Sequence, residues 1–352
     1  MPPAICYLLS HYISHETAGL ALRDCLQSSR FRIVDRPSDA DLVIIHNEPW
    51  SYPGYYRAFP ELREKYVVGY AVWETDRLPP HHAFALGLVD EIWTCSTFCR
   101  EVMAGACRRI TTIPHVVQPL PIDPQAEVRL RERLGYNEDL FYFYTITNAA
   151  NPRKNLAGLA GAFAAAGLAD RARLVIKTIT PLPRDIGDTP GLVTLDGRAD
   201  ATEIGALHRL CQCFVSAHRG EGWGLGLSEA MACGNLAVAT AWGGNMEFMN
   251  EANSLLVPYR LAAVADEDVW WQQGLLSADM RWAHVDVEAL AGTMARCLQD
   301  WPALRALARR GRHDMRRFAP ASVGRLVADR LAQILDETGI AGGRSRQGTG
   351  TA

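Results

Sequence analysis

Lysine is almost missing from this chain. Of its 36 basic residues, only Lys65, Lys154 and Lys177 are lysines and the rest are arginines. An arginine-favouring lineage explains most of that bias. It still marks each lysine, because an ammonium and a guanidinium are not interchangeable at a tight anion site. An excess of one charge is also missing. Thirty-six basic against 39 acidic side chains leave a net charge of −3. That balance points neither to a nucleic-acid partner nor to an acidic disordered chain. No apolar run approaches the ~20 residues of a membrane span. The longest small-residue stretch, 156–169, is broken by three glycines and reads as a packed helix. The nine cysteines are odd in number and form no Cys-x-x-Cys pair, which argues against a disulfide framework and a zinc ribbon. The start, MPPAICYLLSHYISHE, has no basic segment and does not read as a signal peptide. What remains is 352 residues, 48% of them apolar, enough for about two domains at ~150 residues each. The expectation is a soluble, cytoplasmic protein with reduced thiols.

The first 120 residues alternate short apolar runs with amphipathic stretches. The runs are 4–10, 31–35, 41–47, 66–73, 90–96 and 110–117, with helices expected at 18–27 and 97–106. Continuous apolar runs suit strands buried on both faces of a parallel sheet. PHVVQPLPIDP (114–124) holds four prolines and reads as a linker. The alternation then restarts, with strands at 141–147, 172–178, 192–197, 213–218 and 235–240. Helices are expected at 155–166, 201–209, 227–232 and 246–250. Segment 259–284 reads as irregular, with Trp270, Trp271 and Trp282 in it. The tail from Ala341 is rich in Gly, Ser and Arg and reads as disordered. The pattern predicts an α/β chain with two doubly wound, Rossmann-like domains. The ligand is expected between them, at the carboxyl ends of the strands.

The most informative stretch is SAHRGEGWGLGLSEAMACG (216–234). A strand leads through a glycine-rich loop into a helix. Gly220, Gly222, Gly224 and Gly226 let backbone approach a ligand, and the helix adds the positive end of its dipole. No Gly-x-Gly-x-x-Gly spacing fits these glycines, and no P-loop lysine motif occurs. Glu221 in the loop and Glu229 in the helix frame it. Beside an anion site, carboxylates make most sense as acceptors for sugar or ribose hydroxyls. The plainer alternative is a loop cap and a solvated helix residue.

Glu-x7-Glu in EGWGLGLSE, with AMACG, a strand and AWGGNMEF (241–248), resembles the donor-site motif of one family. That family is the retaining, nucleotide-sugar-dependent glycosyltransferases of GT-B architecture, family 4 type. The resemblance implies two Rossmann-like domains facing across a cleft. It implies that Glu221 contacts donor-sugar hydroxyls, that the amides of Gly222, Trp223 and Gly224 support the sugar, and that Glu229 holds the ribose. In TNAANPRKN (147–155), Lys154 matches the family lysine that binds the diphosphate. Asn148 stands where the family often has Arg, so either Arg153 substitutes or Asn148 donates a neutral hydrogen bond. A cation pair at a helix start opposes the helix dipole, and a bound polyanion would remove that conflict. Lys177 ends its strand towards the same crevice, as a base or phosphate contact or as a plain surface lysine.

The N-terminal half is expected to bind the acceptor. Where the family often has a glycine pair, SHYISHETAG (10–19) offers only Gly19, with Thr17 and the Ala18–Gly19 amides as substitutes. Strand ends at HNEPW (46–50) and WETDR (73–77) bring His46, Trp73, Glu74 and Asp76 to the acceptor side. The His usual at the second of these is absent. Glu74 or Asp76 orients the acceptor hydroxyl, or else Thr75 or Asp76 caps a helix. The loop PWSYPGYYRAF (49–59) offers aromatic faces to a sugar, or folds on itself. His115 reads as structural.

The resemblance implies domains at 1–119 (acceptor) and 120–320 (nucleotide sugar). A final helix at 321–340 crosses back to the first domain, and 341–352 forms the tail. It implies a catalytic set of Glu221, Lys154, Arg153 and Glu74, with no metal and no cofactor. The substrates would be a GDP- or UDP-linked sugar and a glycan, lipid-linked or small-molecule acceptor. Membrane contact would be at most peripheral, at the inner face. An NDP-sugar 2-epimerase of the same fold and a non-catalytic nucleotide-sugar binder are the alternatives.

Overall fold

The computed structural model describes residues 2–27, 30–265 and 274–340. Trp270, Trp271 and the expected tail from Ala341 lie outside the described residues. The chain divides into two compact units. Unit 1 is Met1–Trp73, Leu78–Val116 and Arg317–Ala352; unit 2 is Glu74–Arg77 and Val117–Arg316.

Unit 1 is built on a six-stranded sheet, β1 (Ala4–Leu9), β2 (Arg32–Val34), β3 (Leu42–His46), β4 (Tyr66–Tyr70), β5 (Glu91–Thr94) and β6 (Ile110–Thr112). Its order is β2-β1-β3-β4-β5-β6 and every pairing is parallel. LVIIH and YVVGY are buried at every position, which is why they read as unbroken apolar runs. Helices α1 (Ile13–Gln27), α2 (Tyr52–Ala58), α3 (Pro80–Leu86) and α4 (Thr97–Val102) lie between the strands. The aromatic stretch 49–59 is therefore a 3₁₀ turn (Pro49–Ser51) running into α2, not a loop. Prolines at the first turns of both explain the start.

Unit 2 carries a second six-stranded sheet, β7 (Phe141–Thr147), β8 (Ala172–Thr178), β9 (Leu192–Asp196), β10 (Cys213–Ser216), β11 (Leu236–Thr240) and β12 (Leu255–Val257). Its order is β12-β11-β10-β7-β8-β9, again all parallel. The winding direction reverses between β7 and β10, so the crevice at their carboxyl ends is where such a sheet takes a ligand. The helices are α5 (Pro124–Leu134), α6 (Leu156–Ala165), α7 (Arg184–Gly187), α8 (Ala201–Leu210), α9 (Leu225–Cys233), α10 (Val287–Gln299) and α11 (Trp301–Asp314). Asp123 caps α5 through the Gln125 amide, so the last residue of the proline-rich stretch already begins a helix.

Two expectations for unit 2 are corrected. Residues 259–284 are not irregular throughout: β13 (Tyr259–Ala263) and β14 (Arg281–Val285) pair antiparallel. The connection between them is too long for a tight-turn signal. The helix expected at 246–250 is a 3₁₀ turn, Gly244–Glu247.

The last helix, α12 (Pro320–Thr338), belongs to unit 1 and packs on α1, where Gly324 faces the Cys25 Cβ. Its Arg330 reaches the fully buried Glu91 of β5 at 2.6 and 2.9 Å. No described helix is long and apolar enough to cross a membrane.

Candidate active site

The loops leaving β7 and β10 are stitched together. After β7, Asn151 caps a single 3₁₀ turn, Pro152–Lys154, by accepting from the Arg153 amide. Asn155 takes the left-handed conformation (φ 50°), caps α6 through the Gly158 amide and donates its own amide to the Ala217 carbonyl at 3.0 Å. The Arg219 amide donates to the Arg153 carbonyl at 2.7 Å. Arg153 and Lys154 therefore precede the cap and do not occupy the first turn of α6. The expected clash with the helix dipole is absent.

The two cations meet two carboxylates. Lys154 Nζ lies 2.5 Å from Glu221 Oε1, and Arg153 Nη1 lies 3.3 Å from Glu221 Oε2. Arg153 Nη2 lies 3.3 Å from Glu74 Oε1, and Nη1 also donates to the Gly220 carbonyl. The Arg153 and Glu221 side chains are each only 12% exposed. Burial raises the Glu221 carboxyl, but Lys154 and then Arg153 outweigh it and bring it to about 2. Lys154 is held below its usual range, first by burial and also by Arg153, while Glu221 opposes the shift. The group is thus an ionised cluster that any diphosphate would have to enter by exchanging partners.

Two of the loop glycines serve the protein itself. A Cβ on Gly220 would lie 2.0 Å from the Glu74 carbonyl oxygen, and one on Gly226 would lie 2.9 Å from the Phe214 ring. Gly220 is what lets Glu74 come in beside Arg153. Gly220→Ala is expected to lower both melting temperature and any turnover, because backbone must move to admit the methyl group. Unchanged melting would show that this approach is not needed. Gly224 starts α9 at φ 93°, with no side-chain cap on the helix. The loop is clasped from the far side by Gly244, whose amide donates to the Glu221 carbonyl at 2.5 Å. The Trp223 side chain is buried, bonded to Ser228 and tilted against Phe248.

Glu229, in α9, is partly buried. Burial alone raises it from 4.5 to about 7. A raised carboxyl favours the protonated folded state. That stability is full below pH 4.5 and is lost as pH rises through 7. Glu229→Gln is therefore expected to be more stable than the parent at pH 8 by about 1–3 kcal/mol, discounted for partial exposure, and equal to it near pH 4. Melting curves at the two pH values check this, and a pH-independent difference would contradict it.

Several expected site residues lie elsewhere. Lys177 donates to the Gly197 and Thr178 carbonyls, and its charged neighbours are Glu203, Arg133 and Asp196. It caps strand ends and does not join the cluster. Asn148 accepts from the Ala150 amide and the Thr180 hydroxyl, so its oxygen shapes the loop. Gly19 sits inside α1, where a Cβ would meet Leu9 at 2.5 Å and His46 at 3.1 Å. It is a packing glycine whose amide belongs to the helix. The Thr17 hydroxyl bonds the Ile13 carbonyl. At Gly19 packing stands where a donor contact was expected.

His46 is fully buried, bonded to the Tyr7 hydroxyl at 2.8 Å and stacked 4.1 Å from Tyr70, so it cannot touch an acceptor. Trp73 is 3% exposed and packs edge-on to His82. Asp76 binds the Arg281 amide at 2.6 Å and its guanidinium at 3.0 Å, fixing β14, and it is neither helix cap nor acceptor ligand. All three followed strands with functional ends; burial decided against His46 and Trp73, and Arg281 takes Asp76.

One residue was missed. His218 is fully buried directly before the loop. Its Nε2 lies 3.0 Å from the Trp242 carbonyl and must donate; Nδ1 then accepts the Ser216 hydroxyl. Burial, and then Lys154 and Arg153, hold it below the usual imidazole range, while Glu221 and the Trp242 carbonyl oppose the shift. It braces the Glu221 loop against the segment after β11. A histidine two residues past a strand was the only signal.

Residues 141–269 match the family model "Glycosyl transferases group 1". The matched segment opens at β7 and holds every member of the ionised cluster except Glu74. Solved structures agree on architecture. HepE of Anabaena, solved with UDP and glucose, superposes with a TM-score of 0.70 at 15% identity, over 94% of this chain and 100% of that one. Sucrose-phosphate synthase of Thermosynechococcus elongatus gives 0.68 at 14%, over 96% and 100%. WaaG, a glycosyltransferase of lipopolysaccharide biosynthesis, gives 0.62 at 13%, over 93% and 98%. At such identities the likeness establishes the fold, which is GT-B. No curated protein matches in sequence. The family match covers a little over a third of the chain, and the solved structures add the architecture.

Proposed function

We propose that this protein transfers a hexose-type sugar from a nucleotide diphosphate sugar to an acceptor hydroxyl, with retention at the anomeric carbon. The setting is glycan or glycoconjugate synthesis at the cytoplasmic side. The observation that carries the reading is the Arg153–Lys154 pair, held by Glu221 and Glu74 where the second sheet reverses its winding. A GDP- or UDP-linked donor would lay its diphosphate on these two cations. As the C1–O bond breaks, negative charge grows on the departing phosphate, and fixed positive charge lowers that barrier. No metal is required for that task. Glu221, released from Lys154, would then accept the sugar hydroxyls, and Glu229 would accept the ribose. The amides of Gly222, Trp223 and Gly224 would support the sugar. The acceptor oxygen attacks C1 on the face the diphosphate leaves and passes its proton to the leaving phosphate oxygen. Glu74, paired with Arg153, would orient that hydroxyl.

The HepE and WaaG names supply the analogy to UDP-linked chemistry and to glycan acceptors, and no more. Incubation with a panel of GDP- and UDP-sugars and glycan acceptors tests the reading. Nucleoside diphosphate release with an axial-to-axial product, read by proton NMR couplings, is the expected result. Inversion at C2 would mean an epimerase. A ligand-induced melting shift with no turnover across the panel would mean a binder.

A further inference from the structure

Strand β14 holds the chain on both sides of the ionised cluster. Residues 74–77 group with unit 2, although the chain before and after them belongs to unit 1. Three consecutive side chains tie them to β14 and the residues just before it. The Thr75 hydroxyl reaches Met280 Sδ at 3.5 Å. Asp76 accepts from the Arg281 amide at 2.6 Å and from its Nε at 3.0 Å. Arg77 pairs with Asp279 at 3.3 Å. The Asp76 amide returns a bond to the Arg281 carbonyl at 3.1 Å. Two residues further along, the Ala283 amide donates to the Arg219 carbonyl at 2.7 Å. The Arg219 guanidinium lies 5.0 Å over the ring of the buried Trp282.

One strand thus fixes residue 76 and residue 219 about 7 Å apart along its length. Glu74 stands two residues before Asp76, and Glu221 two residues after Arg219. Arg153 bridges those two carboxylates. The spacing that β14 sets is therefore the spacing across which one guanidinium must reach. The exposed Arg77–Asp279 pair contributes little to it. The Asp76 carboxylate is only 14% exposed and takes two bonds from Arg281, so that contact carries the placement. A shift of about 1 Å at a reacting group can cost on the order of 10²-fold in rate.

We propose that Asp76 and Arg281 are positioning residues, which act through β14 to hold Glu74 against Arg153 and within reach of the acceptor hydroxyl. The task of Glu74 rests on the transfer reading; its placement does not. Transfer kinetics of Asp76→Ala, Glu74→Gln and the double variant test the proposal, together with a crystal structure of the full-length Asp76→Ala chain. The assay uses the donor and acceptor selected from the panel of GDP- and UDP-sugars and glycan acceptors. Asp76→Ala should lower kcat roughly tenfold and change the donor KM by less than about twofold. In the Glu74→Gln background the same substitution should cost less than about twofold, because its effect passes through that carboxylate. Arg281→Ala removes one of the two bonds and should cost less than Asp76→Ala, and Arg281→Lys should restore most of that loss. The Arg281 side chain is 53% exposed, so both of its variants should melt with the parent. In the Asp76→Ala structure Glu74 should stand beyond ion-pair distance from Arg153. Equal losses in the two backgrounds, or a Glu74–Arg153 pair left intact in that structure, would overturn the proposal. No turnover by the parent with any donor would instead count against the transfer reading, and the crystal structure would still decide the placement.

Discussion

Lys154→Ala is expected to lower turnover by about 10²–10³-fold, the scale of removing one fixed charge from a departing oxyanion. The lysine supplies more than charge. It is the nearest cation to Glu221, at 2.5 Å, and it shares that carboxylate with Arg153. Without it Glu221 would sit on one guanidinium and rise from about 2 towards ordinary values. The loss should therefore fall on kcat and on donor affinity together, measured as nucleoside diphosphate release under saturating acceptor. Lys154→Arg is the sharper substitution. It keeps the charge but puts a planar fork where a compact ammonium fits between Glu221 and Arg153. A drop of about tenfold or more is expected. Full activity would return the scarcity of lysine to lineage bias alone.

Arg330→Ala is expected to destabilise unit 1 by about 3–5 kcal/mol, as a buried carboxylate loses its cation. Glu91 is fully buried and accepts from Trp93 Nε1, the Thr111 and Tyr66 hydroxyls, and Arg330 twice. Burial raises its carboxyl, and these partners, Arg330 first, bring it below the usual value. A lowered carboxyl contributes stability that is present above pH 4.5 and lost as pH falls through the folded value. The variant should therefore lose most at neutral pH, with its first calorimetric transition moved down by roughly 10 °C. Adding Glu91→Gln should recover part of the loss, since no unpaired charge then remains. A shift under 2 °C in the single variant would mean that the pair holds nothing together.

The sequence carried the sheet architecture because both sheets are buried on both faces. Runs such as DLVIIHN and ARLVIKT can hardly be anything else. Strand limits ran long at 66–73 and 110–117 because apolar chain continues into buried loops. The hairpin 259–285 stayed hidden because its strands pair across a long connection. In the site, the charged pair and the Glu-x7-Glu loop were legible because glycine, charge and spacing coincide there. What failed were single residues at strand ends. His46 and Trp73 have the right residue type near the right strand ends, and Gly19 the right type in the helix that follows one, but the pairs Gly19–Leu9, His46–Tyr70 and Trp73–His82 form only in three dimensions. Asp76 was lost to Arg281, some two hundred residues away in sequence. Lys177 was lost to two carbonyls that no pattern announces. Grouping Glu74 with the second unit likewise depends on Gly220 having no side chain.

The central claim is that Arg153 and Lys154 receive a nucleoside diphosphate. Calorimetric titration of GDP and UDP into the parent chain and into Lys154→Ala tests it without knowledge of sugar or acceptor. The parent should bind one of the two nucleotides, and the variant should bind it at least about tenfold more weakly, the cost of about 1.4 kcal/mol for one lost charged contact. Equal affinity of the two proteins for the preferred nucleotide, or no binding of either nucleotide by the parent, would contradict the account.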